Sequence, residues 1–191
     1  MIKIGIIGDG ASVYIEKIIF TLLSLTGLKV HSVLDSDYGE LGQYPSYDVL
    51  IVNIDPIRAE IIEKFNVLVL NAENNYVYQN KLVSCLGEDD FLVLNADQKD
   101  VFNNISAIKA NLITCGFNQK ACITTSSIIN SEYDTVLVCI QRAFKSINNK
   151  YIGQQEFSVN ITSFKDNSIF NILSAIACIL ICGVEIDSIS D

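Results

Sequence analysis

The chain has 191 residues, of which 50% are hydrophobic and 18% are charged. This length and composition suit one globular domain with a full hydrophobic core, and they exclude an intrinsically disordered chain. The 13 basic and 22 acidic residues give a formal net charge of −9. Because this charge repels phosphate backbones and anionic lipid surfaces, nucleic acid is not an expected partner.

The sequence predicts a protein of a reducing compartment. Its six cysteines lie within apolar runs and form no CxxC pair, so we expect them to be small buried residues. A signal peptide is not expected, because only Lys3 precedes a short apolar run that ends at Gly8. The apolar stretch 169–184 contains Asn171 and is shorter than the roughly 20 residues of a membrane span. A cytoplasmic location without a membrane span is therefore expected.

Short β-branched runs alternate with helical patterns in the first part of the chain. The predicted strands are Ile2–Ile7, Lys29–Leu34, Asp48–Asn53, Val67–Leu70, Phe91–Asn95 and Asn111–Cys115, and the predicted helices are Val13–Leu25, Ile57–Phe65 and Val101–Lys109. Strands that alternate with helices favour a mostly parallel sheet that is covered on both faces. The prediction is an α/β fold whose main sheet lies within residues 1–118.

The pattern changes after Cys115. Three β-rich runs follow with no helical pattern between them: Ala121–Ile129, Thr135–Gln141 and Glu156–Ile161. They predict a small antiparallel sheet within residues 119–163. A returning helix over Ile169–Cys182 then ends at Gly183, a C-cap residue, within residues 164–191. Since there is no repeat and no Pro-rich linker, residues 1–191 are predicted to be one domain.

The first turn has the features of an anion site. A strand runs into Gly8-Asp9-Gly10-Ala11-Ser12 and then into a helix, which presents backbone N–H groups and the positive end of a helix dipole. A dinucleotide-binding motif also requires a third glycine and an acidic residue after the second strand. Gly8, Gly10 and Asp35 fit this motif, but Val13 replaces the third glycine.

A P-loop motif is incomplete at the same turn. It requires a lysine followed by Ser or Thr, because the lysine neutralises phosphate and the hydroxyl binds magnesium. The nearest lysine is Lys17, more than a turn into the helix, and Asp9 adds a negative charge. The turn alone leaves three interpretations open: NAD-type binding, ATP-type binding and a turn without a ligand.

Four segments resemble the central ATP-binding domain of the Mur ligases, a family that joins amino acids to peptidoglycan precursors. They are Ile4–Gly8 (IGIIG), Leu92–Asp97 (LVLNAD), Leu112–Asn118 (LITCGFN) and Asn171–Ala177 (NILSAIA). In order, they resemble the family's I-G-I-T-G strand, its VLNADD-like strand end, its I-T-x-G-F/L strand and its H-N-x-x-N-A-L-A-A-I-A helix. The resemblance covers nearly the whole chain and implies a P-loop-type sheet.

The resemblance also places a nucleotide site on this sequence. The implied binding residues are Gly8, Gly10, Ser12, Asp97 and Asn171. With a one-residue deletion, Ala11 stands at the family's lysine and Ser12 at its magnesium-binding hydroxyl. Without the deletion, Ser12 stands at the lysine and Val13 at the hydroxyl, so either alignment loses the lysine.

Other family positions have also changed. Asn53 stands at the position of the magnesium-binding glutamate, with Asp55 two residues further on, and Asn167-Ser168 replaces a histidine-asparagine pair. Mur ligases also carry flanking domains, which this chain is expected to lack.

The lost residues predict lost chemistry. Phosphoryl transfer concentrates negative charge that a lysine and a cation normally offset. We therefore expect a stand-alone, degenerate P-loop protein, a pseudoenzyme of a bacterial cell with a binding or assembly role and no catalytic residue. Its expected partner is another protein or a second copy of the chain, and no cofactor or metal is expected. The alternatives are a ligase subunit that binds Mg-ATP weakly and needs a partner, and an NAD-type dinucleotide-binding domain.

Each candidate residue also has a structural interpretation. Asp97 suits a loop or helix cap, Asn171 suits backbone hydrogen bonding at a helix start, and Ser12 suits an N-cap. The remaining expectations are a strand position for His31, core packing for Cys178 and Cys182, and a solvated turn at Glu88-Asp89-Asp90.

Overall fold

The computed structural model describes residues 1–8, 12–43, 46–56, 64–71, 82–98, 108–129, 135–164 and 168–190. The strands in these residues are β1 (Ile2–Gly8), β2 (Val30–Leu34), β3 (Val49–Ile54), β4 (Val67–Asn71), β5 (Phe91–Asn95), β6 (Asn111–Cys115), β7 (Ile123–Ile129), β8 (Thr135–Ile140), β9 (Phe144–Lys145), β10 (Tyr151–Ile152) and β11 (Gln155–Asn160). The helices are α1 (Ser12–Leu25) and α2 (Ile169–Ile181), and 3₁₀ segments span Asp35–Gln43, Thr162–Phe164 and Ile186–Ser188.

Nine of these strands form one sheet in the order β11-β8-β7-β6-β5-β4-β1-β3-β2. Strands β1 to β6 pair in parallel, and β8 pairs antiparallel with both β7 and β11. The predicted α/β fold is therefore confirmed, with its mostly parallel sheet and a small antiparallel sheet before the last helix.

The antiparallel region has two parts. The three predicted β-rich runs are β7, β8 and β11, and they extend the main sheet through the parallel pairing of Cys115 with Ile123. The separate antiparallel sheet is the pair β9 and β10. The predicted helices Ile57–Phe65 and Val101–Lys109 lie outside the described residues, except for their last two positions.

Burial on both faces explains the continuous apolar runs of the parallel strands. Every residue of β3 is buried, since its side chains alternate between two separate apolar clusters. One cluster packs against α1 and α2. In α2 every residue from Phe170 to Ile181 is buried, which accounts for its almost entirely apolar sequence. Neither described helix is long and apolar enough to cross a membrane.

The ends of α2 follow from its sequence. The Ser168 hydroxyl accepts a hydrogen bond from the backbone N–H of Asn171 at 3.3 Å and caps the first turn. Gly183 has φ +89°, and its N–H donates to the carbonyl of Leu180. This left-handed residue ends the helix at the predicted position.

We expect Gly183→Ala to lower the free energy of unfolding by about 1–2 kcal/mol, because a Cβ strains the left-handed conformation. The added Cβ would also lie 3.0 Å from Nδ2 of Asn148. Urea unfolding of both proteins measures the difference.

Gly39→Ala is the matched control, because a Cβ at Gly39 meets no atom within 4 Å. It should leave the stability unchanged or raise it by up to about 1 kcal/mol. Equal losses in both variants would contradict the role given to Gly183.

Candidate functional site

The carboxyl ends of the parallel strands and the start of both described helices lie at one edge of the sheet. Helix α1 follows directly after Gly8, the last residue of β1. The beginning of α2 lies at the same edge, since Sγ of Cys115 at the end of β6 is 3.7 Å from the carbonyl oxygen of Leu173. In open α/β sheets, ligands bind at this edge.

Four polar side chains form a connected hydrogen-bond network at the start of α1. The Ser12 hydroxyl donates to Oδ1 of Asn53 at 2.8 Å, and Nδ2 of Asn53 donates to Oε2 of Glu16 at 2.9 Å. The Ser32 hydroxyl donates to Oε1 of Glu16 at 2.5 Å. Ser12 and Asn53 are buried, with 3% and 6% of their surface exposed. We call these four residues the Glu16 network.

Glu16 sets the direction of these hydrogen bonds. A carboxylate only accepts, so the amide nitrogen of Asn53 must face Glu16 and the amide oxygen must face Ser12. The Ser12 hydroxyl therefore points its proton at Asn53. The network joins α1 to β2 and β3, because its members come from all three elements.

The end of β1 is packed closely against its neighbours. A Cβ at Gly8 would lie 3.0 Å from the backbone oxygen of Asn71 and 3.2 Å from Cβ of Ser12. Glycine is thus required here by close approach. Nδ2 of Asn71 is buried and has no hydrogen-bond acceptor. Gly10, the other glycine of the predicted site, lies outside the described residues.

The described charges near this turn are unfavourable for an anion. The side chain of Lys17 is exposed, whereas Glu16 is half-buried and is bound by Asn53. Helix α1 therefore presents a carboxylate inward and its lysine to solvent.

The carboxylate of Asp97 accepts hydrogen bonds from a loop of this chain. Its Oδ2 accepts the backbone N–H of Phe117 and its Oδ1 accepts that of Asn118, both at 2.8 Å. Gly116 has φ +146°, and a Cβ there would lie 2.5 Å from Oδ2 of Asp97. The carboxylate thus joins the chain after β5 to the loop after β6.

Asn171 contributes its backbone N–H to a helix cap, whereas the carboxylate of Asp35 accepts backbone N–H groups. Asn171 is buried, with 4% exposed, and its N–H takes part in the cap of α2. Asp35 accepts the N–H of Ser36 at 2.9 Å and that of Asp55 at 3.2 Å, so its carboxylate joins the ends of β2 and β3. His31 stacks on Tyr47, with ring centroids 4.5 Å apart and an interplanar angle of 6°.

The cysteines of α2 are core residues. Cys178 is fully buried and Cys182 is 7% exposed, and burial raises the pKa of the Cys182 thiol to about 12. Burial also raises the pKa of Cys178 well above its ordinary value. Across the part of the chain that the structure describes, no group of three or more His, Cys, Asp or Glu side chains is arranged to hold a metal ion.

The prediction of a solvated acidic turn was wrong for Asp90. Its side chain is 2% exposed, lies 3.2 Å from Nζ of Lys64, and accepts the N–H of Gly87 at 2.7 Å. Glu88 and Asp89 are exposed, as expected. A buried carboxylate requires such partners, and sequence alone did not identify a lysine 26 positions away.

The sequence matches no protein-family profile and no curated protein. Solved structures are similar in fold. The UDP-N-acetylmuramoylalanyl-D-glutamyl-2,6-diaminopimelate--D-alanyl-D-alanyl ligase of Acinetobacter baumannii aligns with 100% of this chain and 45% of its own, at 9% identity and a TM-score of 0.70. The UDP-N-acetylmuramate:L-alanyl-gamma-D-glutamyl-meso-diaminopimelate ligase of Neisseria meningitides aligns over 97% and 63%, at 14% identity and a TM-score of 0.67.

Folylpolyglutamate synthase from Thermotoga maritima is also similar, over 99% of this chain and 56% of its own, at 11% identity and a TM-score of 0.61. The chain thus spans about half the length of the enzymes it resembles. Identities this low show the fold alone. At that level, the resemblance to the central domain of Mur ligases is confirmed.

We expect Asp97→Asn to lower the free energy of unfolding by about 1–3 kcal/mol, because one of two backbone N–H groups would then face an amide NH₂. Hydrogen exchange should accelerate at the amide of Phe117 or of Asn118, whichever then faces the NH₂ group. Urea unfolding and exchange measured by NMR give the two readouts.

Asp89→Asn is the control, since it removes the same charge from an exposed turn. It should stay within about 0.5 kcal/mol of the parent. Unchanged exchange at both Phe117 and Asn118 in Asp97→Asn would contradict the assigned role of Asp97.

Proposed function

We propose that this chain, which has the fold of a Mur ligase central domain, is a noncatalytic protein with a binding or assembly role. The observation that carries the proposal is the direct hydrogen bond between Ser12 and Asn53. In the alignment with a one-residue deletion, the resemblance places a magnesium-binding hydroxyl at Ser12, and it places a magnesium-binding glutamate at Asn53. Here they bind each other.

The residues present do not fit a magnesium nucleotide. Magnesium is usually held by one or two carboxylates together with phosphate oxygens. Asn53 supplies a neutral amide in place of a carboxylate, and its oxygen already accepts from Ser12. The carboxylate of Glu16 lies behind Asn53 and accepts from Asn53 and Ser32.

The charges support the same conclusion. Transfer of a γ-phosphoryl group relies on cationic groups that offset the charge of the transition state. The turn 8–12 contains no lysine, and Lys17 extends into solvent. Since lysine and cation ligands are both replaced, ligase turnover is not expected of this chain alone.

The geometry does not favour the dinucleotide alternative. A ribose would require the carboxylate of Asp35, which already accepts the backbone N–H groups of Ser36 and Asp55. Binding of NAD would have to replace hydrogen bonds that join β2 to β3.

Exposed apolar side chains on α1 support a role in binding another chain. Four of the eight large apolar side chains exposed in the described residues lie on this one helix: Val13, Tyr14, Phe20 and Leu25, at 39%, 50%, 40% and 77% exposure. We call this set the α1 surface. Exposed apolar surface marks interaction sites when it is contiguous, so this concentration on one helix makes α1 the surface to test.

Calorimetric titration tests the loss of nucleotide chemistry. At millimolar Mg-ATP, ADP or NAD we expect no binding heat, because the hydroxyl, amide and carboxylate groups are bound within the protein. Micromolar Mg-ATP binding that is lost in Ser12→Ala would contradict the proposal and favour a ligase subunit. NAD binding that is lost in Asp35→Asn would favour the dinucleotide alternative.

Light scattering over a range of protein concentrations tests a second copy of the chain as partner. We expect the mass to rise with concentration, and Phe20→Ser to shift association to about tenfold higher concentration, since one buried aromatic contributes a few kcal/mol at most. Tyr151→Ser is the control, because Tyr151 is an aromatic residue that is 69% exposed and lies on β10, not on α1. A constant monomer mass would exclude the second copy and leave a different protein as partner.

A further inference from the structure

We infer that Glu16 supplies a fixed negative charge that weakens polyphosphate binding at the start of α1, in addition to Asp9 and the missing lysine of the turn. This inference rests on the proposed function, since it names a further determinant of the lost nucleotide chemistry. Glu16 is not one of the residues to which the resemblance assigns a role.

The start of a helix normally attracts anions. Backbone N–H groups without a partner and the helix dipole give it a positive potential. In this chain, Asn53 bridges the carboxylate of Glu16 to Ser12, the first residue of α1, through two hydrogen bonds. The carboxylate therefore acts as an internal counter-charge to the helix end.

The position of this charge is fixed. Both oxygens of Glu16 accept hydrogen bonds, one from Ser32 and one from Asn53. Rotation of the side chain into solvent would break both bonds and leave the buried amide of Asn53 without its acceptor. An arriving anion thus meets the carboxylate in place, and Glu16 cannot move away without a cost.

The expected size of the effect is large enough to measure. At the effective dielectric of a protein surface, one fixed unit charge close to a bound polyanion changes its affinity by about tenfold. Lys17 does not cancel this repulsion, because its ammonium group is exposed and solvent screens it.

Inorganic tripolyphosphate without magnesium is the probe for the test, with the backbone amide signals of Ser12 and Val13 followed by NMR. Glu16→Gln keeps the length of the side chain and an oxygen that accepts from Asn53, and it removes the charge. We expect its affinity for tripolyphosphate to exceed that of the parent about tenfold. The gain should shrink as NaCl is added.

Two variants separate local charge from other causes. Glu88→Gln removes one charge from an exposed turn before β5, at the opposite edge of the sheet, and should show no gain. Ser32→Ala keeps the Glu16 carboxylate but removes one of its hydrogen bonds, and it should also show no gain.

Equal affinities of the parent and Glu16→Gln would overturn the inference. The same gain in Glu88→Gln would also overturn the inference, because the cause would then be the net charge of the protein. The same gain in Ser32→Ala would overturn it too, because the cause would then be disturbance of the Glu16 network. Any of these results leaves the proposed function standing, since that is decided separately by the Mg-ATP titration. Micromolar Mg-ATP binding to the parent would instead overturn the proposed function.

Discussion

The contacts at the start of α1 depend on one constraint: the carboxylate of Glu16 accepts hydrogen bonds and donates none. Because of it, Asn53 turns its nitrogen toward Glu16 and its oxygen toward Ser12. The single carboxylate orders three hydrogen bonds across α1, β2 and β3. The network thereby holds the start of α1 on the sheet.

Two further carboxylates also make internal hydrogen bonds at the carboxyl edge of the sheet. Asp35 joins β2 to β3, and Asp97 joins the chain after β5 to the loop after β6. Both carboxylates accept backbone N–H groups, which is a strong class of hydrogen bond. These acidic residues therefore connect neighbouring strands and loops at this edge.

Much of this architecture could be predicted from the sequence, because burial on both faces makes strands such as β5 and β6 continuous apolar runs bounded by polar residues. Gly183 likewise indicated the end of α2. The pair β9 and β10 was missed, since strands of two residues have no detectable period. The contact of Ser12 with Asn53 spans 41 positions, and only the fold brings them together. Glu16 was missed as well, although its spacing of four from Ser12 places both on one side of a helix.

Gly116 and Asp97 illustrate how two distant positions become dependent on each other. Only glycine fits at position 116 while Asp97 keeps its observed position. The Cβ of any other residue would lie 2.5 Å from Oδ2 of Asp97. Divergent homologues should therefore vary at the two positions jointly: where the glycine has been replaced, the aspartate should be replaced too. Covariation of positions 97 and 116 would then be visible in an alignment of homologues, even where the overall sequence identity is low.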